Sequence, residues 1–210
     1  MTKDSDSKSL AIGGMTSIAT DWVEVAIDSV MNDGIAKDIP ILGTLINLYK
    51  SGVNIKEHIF HKKIEGLIEN ISDITEEELS SFNSQFDYDP EFRVRVAEHL
   101  TIIVDRLDDL EKTKMLAKSF SGFVKGKINF EQFRRIARAI ERCMIEDLKE
   151  VHNFERANDA FSEITYELAA SGLIQLVQLP QISAPDVKSM YKITEFGELF
   201  VQIVLSERRI

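Results

Sequence analysis

A mainly α-helical protein, a multi-helix bundle with a small C-terminal β-hairpin, is what this sequence predicts, on three observations. Only 10 Gly and 4 Pro occur in 210 residues, too few breaks for a turn-rich all-β fold. Apolar residues recur at steps of three and four through most of the chain, the period of a helix that buries one face. A single stretch, Leu173 to Ile193, carries two short strand-like runs separated by turn residues. The length suffices for a sizeable core, in one large domain or two small ones.

Residues 1–14 are small and polar and are expected to form a disordered tail. Their apolar run is short and broken by Gly13 and Gly14, so no signal peptide is expected. Residues 15–153 are expected to form the helical bundle, and 154–210 a C-terminal subdomain packed on it. The first helix is predicted over 16–32, with Ile18, Trp22, Val25, Ala26 and Val30 on one face and Gly34 after its end. Next, Asp38 and Pro40 form a start signal. Leu42, Leu45, Tyr49, Ile55, Ile59, Ile64, Leu67 and Ile71 then follow helical spacing, with a weak point at Ser51-Gly52.

Thr75 and Glu78 have capping-box spacing and predict a helix over 75–84. Asp89, Pro90 and Glu91 open another, carrying Val94, Leu100, Ile103, Val104, Leu107 and Leu110 and ending or bending near Glu111. A shorter helix is predicted over 112–125, with Met115, Leu116, Phe120 and Phe123 inward and Gly126 as its stop. Asn129 and Gln132 make a second capping box. The helix behind it has the most regular pattern in the chain: Phe130, Phe133, Ala137, Ile140, Met144, Leu148 and Val151. It is expected to be a core helix or half of a helix pair. A further helix should stop at Ser171-Gly172. The hairpin then turns at 183–186, and a last helix opens at Thr194.

Candidate chemistry is sparse. SGFVKGKINFEQF places Gly126, Ile128 and Phe133 as a calcium-binding helix–loop–helix would, but the ligand positions hold Ser121, Phe123, Lys125 and Gln132. Calcium needs several carboxylate or carbonyl oxygens, so a plain helix–turn–helix with a capping box is expected. His58, His61, Glu57 and Glu65 could share a helix face, but zinc would need a further ligand from elsewhere. Asp105, Asp108 and Asp109 sit among Arg106, Lys112 and Lys114 and fit a charged helix face. Neither a nucleophile elbow nor a Gly-rich phosphate loop occurs. No cofactor, metal or catalytic residue is therefore expected. The lone Cys143 permits no internal disulfide and fits a reducing, cytoplasmic setting.

Charge is unevenly spread. Between residues 37 and 66 stand five lysines, including Lys56, Lys62 and Lys63, against three acids, in a chain of formal net charge −10. Residues 69–89 then hold seven acids and no base. An apolar helix with lysines beside an acidic block fits core packing, a partner-docking surface, or peripheral contact with anionic lipid through Ile39–Leu48. Gly43 and Thr44 would suit close helix contact.

The C-terminal order of helix, Gly172-Leu173-Ile174, strand, turn, strand Tyr191–Ile193, and a Thr194-x-x-Gly197 turn into a helix resembles the distal half of winged-helix domains. It covers about residues 158–204. That resemblance implies a compact wing, and in many winged helices DNA binding. Here the helix matching the recognition helix, NDAFSEITYELAAS, carries Asp159, Glu163 and Glu167 and no base. Across 151–210 eight acids face five bases. Phosphate backbones would be repelled, so nucleic acid is not the expected partner.

The leading expectation is a non-enzymatic protein-interaction or regulatory protein, binding a protein partner or itself. The candidate surface comprises Leu42, Leu45, Tyr49, Lys56, Lys62 and Lys63, with Glu163 and Glu167 on the wing. The alternatives are a membrane-directed effector using 39–48 and, against the charge, a DNA-binding regulator.

Overall fold

Nine helices and one two-stranded antiparallel sheet make up the described part of the protein. The computed structural model describes residues 38–50, 57–71, 73–155, 163–177 and 190–206. The helix expected over 16–32, the Ser51-Gly52 weak point and the hairpin turn at 183–186 lie outside these residues.

Helix α1 (Pro40–Lys50) opens at its proline, and α2 (Glu57–Glu69) follows. Helix α3 (Glu76–Tyr88) starts at the Thr75–Glu78 capping box, which is fully formed. Helix α4 (Pro90–Arg106) starts with the Asp89 side chain accepting from the Phe92 N–H. Each cap satisfies a donor that the first helical turn leaves open.

Two boundaries differ from expectation. Helix α4 stops at Arg106, before Glu111, and a new helix, α5 (Leu110–Val124), starts with Asp109 as its cap. Asp108 and Asp109 thus belong to a junction: Asp109 accepts from the Glu111 N–H at 2.6 Å, and Asp108 pairs with Lys112 at 2.7 Å. Local capping there outweighs a periodicity that ran on through Leu110. The pattern running from Phe130 to Val151 is likewise not one helix. Helix α6 (Phe130–Arg142) ends at Cys143, α7 (Ile145–Glu150) follows, and a 3-10 turn (Val151–Glu155) closes the run. Cys143 and Met144 are extended, which turns Met144 out to 67% exposure.

The core is built round α5. Eleven of its fifteen residues are buried, with α2, α6 and α3 packed about it, while α1 packs on α4. Aromatic rings join α3 to α6. Phe82 meets Phe86 and Phe123 edge-on at 4.9 and 5.1 Å, and Phe123 stacks on Phe133 at 5.5 Å. Rings at such offsets add to the stabilisation that burial alone supplies. Gly126, at φ 67°, closes α5, and the Asn129–Gln132 capping box opens α6. The calcium-like stretch is therefore the plain helix–turn–helix.

Helix α8 (Glu163–Ala170) ends at Gly172 with φ 78°. Strand β1 (Ile174–Val177) pairs with β2 (Met190–Ile193) in the register Ile174 with Ile193. Helix α9 (Glu195–Phe200) runs on into a π-turn, Val201–Leu205, lying on α5. The Thr194 hydroxyl donates to the Gly172 carbonyl at 2.7 Å and accepts from the Gly197 N–H at 2.9 Å. A side chain at 197 would place its Cβ 2.1 Å from the Leu173 carbonyl oxygen, so only glycine permits this approach. Among the described residues no helix is long and apolar enough to cross a membrane.

Candidate functional site

The amphipathic geometry of α6 creates the most distinctive surface. Phe133, Ile136, Ala137, Ala139 and Ile140 are buried. Steps of three and four then leave Arg134, Arg135, Arg138 and Arg142 on the outer side, all exposed. These four arginines line a cavity of about 360 Å³ with His99 of α4, Glu131 at the start of α6, and Ala170 and Ser171 at the end of α8. The Gly172 and Thr194 tie described above holds that end of α8 in place.

Ordinary structural roles account for part of this charge. Arg138 and Arg142 lie in the last turns of α6, where a cation suits the helix dipole. Glu141 lies 3.6 Å from both Arg138 Nε and Arg106 Nη1, an ion-pair distance too long for a hydrogen bond. Arg135 stacks on the Phe196 ring at 4.3 Å, and Arg134 sits over Phe130 at 5.8 Å. Stacking occupies the guanidinium face and leaves its edge N–H groups available. Among the described residues no carboxylate lies within ion-pair distance of Arg134, Arg135 or Arg142.

His99 registers the same field. Burial against the Phe130 and Phe133 rings, then the charges of Arg134 and Arg138, push its pKa down to about 4. It is therefore neutral at pH 7. Its Nε2 is buried without a hydrogen-bond partner among the described residues. Forked donors on one helix, a cationic excess and a concave shape are features that attract an anion.

Of the residues expected to form a docking surface, Leu42, Leu45 and Lys63 are buried. Leu42 and Leu45 are fully buried, with Ile39 and Ile41, because the apolar side of α1 packs onto α4. Gly43 makes no close helix contact, and the Thr44 hydroxyl donates to its own helix at Pro40 O. Lys63 is buried: its aliphatic stem packs inside and its Nζ donates to the Asp105 carbonyl at 2.8 Å, capping the end of α4. Lys62 is exposed on α2. Glu167 is half-buried on α8. The side chains of Tyr49, Lys56 and Glu163 lie outside the described residues, as do those of Glu57, His58 and His61.

Among the described residues no group of three His, Cys, Asp or Glu side chains is placed to hold a metal ion. Cys143 is buried, and burial raises its thiol pKa, with Glu167 and Asp147 adding to the rise. A thiol in that setting is unreactive.

The arginine face had a sequence signal that apolar periodicity passes over. Of ten arginines in the chain, four fall within nine residues at 134, 135, 138 and 142, and that helix carries no lysine. A net charge of −10 summed over the whole chain hides this local excess. No known protein family, curated protein or solved structure matches the chain.

Proposed function

We propose that this protein is a non-enzymatic interaction or regulatory module that holds an anionic group of a protein partner in the arginine cavity. The observation that carries this reading is four exposed arginines that line one cavity with His99 in a chain of net charge −10. In this reading residues 38–153 are the bundle. The C-terminal helix, hairpin and helix form a winged-helix-like unit whose α8 supplies one wall. The acidic composition of that unit supports a protein partner over a phosphate backbone.

A membrane-directed role for Ile39–Leu48 has little physical support. Exposing Ile39, Ile41, Leu42 and Leu45, all fully buried, would forfeit about 1.5–3 kcal/mol each. The total approaches the whole stability of a domain, about 5–15 kcal/mol.

The test is fluorescence anisotropy with a labelled acidic peptide, against wild type and an Arg134→Glu/Arg138→Glu double variant. Binding by wild type that the double variant loses, with unchanged circular dichroism, supports the reading. Equal binding by both proteins, or turnover of a small molecule by the purified protein, would sink it.

A further inference from the structure

We propose that the arginine cavity receives a single phosphate monoester carried on a side chain of the partner protein. This rests on the anion-binding reading above and narrows it from negative charge in general to one chemical group.

The first argument is donor geometry. Lysine is the commoner base in the chain, fifteen against ten arginines, yet α6 carries four arginines and no lysine. Either residue attracts an anion, but only arginine offers two parallel N–H donors in a rigid plane. One such fork engages both oxygens of a carboxylate. A phosphate monoester has three terminal oxygens and can accept from two or more forks at once. Several forks round one cavity match the second ligand better than the first.

The second argument is charge. Four arginines line the cavity with one carboxylate, Glu131, and Glu141 pairs with Arg138 beside it, which leaves a net excess of about two positive charges, while His99 contributes no charge at neutral pH. A phosphate monoester carries about −1.5 to −2 charges at pH 7 and offsets most of that excess; a carboxylate carries one. Like charges three and four residues apart also disfavour the empty helix slightly, a penalty that a dianion removes.

The third argument is preorganisation. Stacking on Phe196 and Phe130 limits the freedom of Arg135 and Arg134 before any ligand arrives, so less side-chain entropy is lost on binding.

Shape and surroundings favour a phosphorylated protein segment over nucleic acid. The site is a single open pocket of about 360 Å³, room for one phosphate group and its attachment. The helix that supplies one wall, α8, carries the half-buried Glu167, and Glu141 lies 3.6 Å from Arg138 Nε. A polyanion passing through would meet like charge on leaving the cavity. One phosphate on an otherwise uncharged chain would not.

The experiment uses the full chain and four probes of equal length. These are a degenerate neutral-flank peptide pool bearing one phosphoserine, the same pool with Glu there, the same pool with Ser, and a single-stranded oligonucleotide. Inorganic phosphate serves as competitor, and binding is read by anisotropy. The phosphoserine pool is expected to bind at least tenfold more tightly than the Glu pool, and inorganic phosphate should displace it.

An Arg134→Lys/Arg138→Lys variant, which keeps the charge and loses the forks, should weaken phosphoserine binding at least fivefold. It should leave any Glu-pool binding unchanged. Both positions are exposed, so folding is preserved, and thermal melting verifies this. Equal binding of the Glu and phosphoserine pools overturns the phosphate inference and leaves the anion-binding function standing. Binding of neither pool, with no effect of phosphate, removes both. Tighter binding of the oligonucleotide, with the steeper salt dependence, assigns the cavity to nucleic acid and overturns the proposal.

Discussion

Helices α1 and α6 are similar in length, 11 and 13 residues, and opposite in construction. Helix α1 carries one charged residue, Lys50, and Ile41, Leu42, Leu45 and Ile46 are all buried. Helix α6 carries six charged residues and divides cleanly into an apolar side and an arginine side. A helix with so few charges is stable only when its apolar side is covered, so its apolar density marks core. A helix with a strongly charged face must present that face to water or to a ligand. Segregated charge, not apolar content, therefore marks the helix that keeps a face open to solvent.

Four expected outcomes break or sharpen that contrast. The largest is Leu45→Asp. An unpaired carboxylate in a fully buried position should cost about 4 kcal/mol or more and unfold much of the protein. Urea denaturation measures it, and a midpoint unchanged from wild type would break the assignment of α1 to the core.

Gly197→Ala comes next. Its Cβ would collide with the Leu173 carbonyl, and overpacking of this kind costs about 1–3 kcal/mol. Because Gly197 ties α9 to the end of α8, the same variant should also weaken any ligand held between α6 and α8. Thermal melting and anisotropy on one preparation separate the two effects.

Asn129→Ala removes a formed cap on α6 and should cost about 1 kcal/mol. Arg142→Gln, on the outer side of the same helix, should stay within about 0.5 kcal/mol of wild type. Chemical denaturation of the pair tests whether α6 owes its stability to cap and apolar face while its arginines are spared for binding.

The shallowest effect is a slope with pH. The folded pKa of His99, about 4, lies below its ordinary value of 6.5. Between these values the unfolded chain binds more protons, so stability rises with pH. On acidification its contribution starts to be lost as pH falls through 6.5, and the loss is complete below 4. Denaturation at pH 7, 5.5 and 4.5, compared with His99→Gln, measures it. The variant should show the flatter profile, and identical profiles would remove the arginine field from His99.

Local signals were legible in proportion to how local their physics is. The Thr75, Asp89, Asn129 and Thr194 caps stand where their side chains and spacing place them, because a cap is decided within four residues. Gly126 and Gly172 both adopt the positive φ that ends a helix. The expected strands pair in one antiparallel hairpin. The breaks before Leu110 and at Cys143-Met144 were not legible. Periodicity cannot see that Asp109 caps a new helix or that Cys143 and Met144 turn extended. The role of Lys63 was equally hidden, since the carbonyl it meets at Asp105 is 42 residues away.

By itself, then, the sequence determined the helical class, the caps and stops of its elements, the hairpin, and the arginine face of 130–142, each a matter of neighbouring residues and period. Tertiary structure alone decided that α1 is enclosed, that Lys63 serves a helix end, and that Arg134, Arg135, Arg138 and Arg142 share a cavity with His99 and Ser171. Those outcomes depend on which faces meet across long separations, and burial and electrostatic field exist only after the chain has packed.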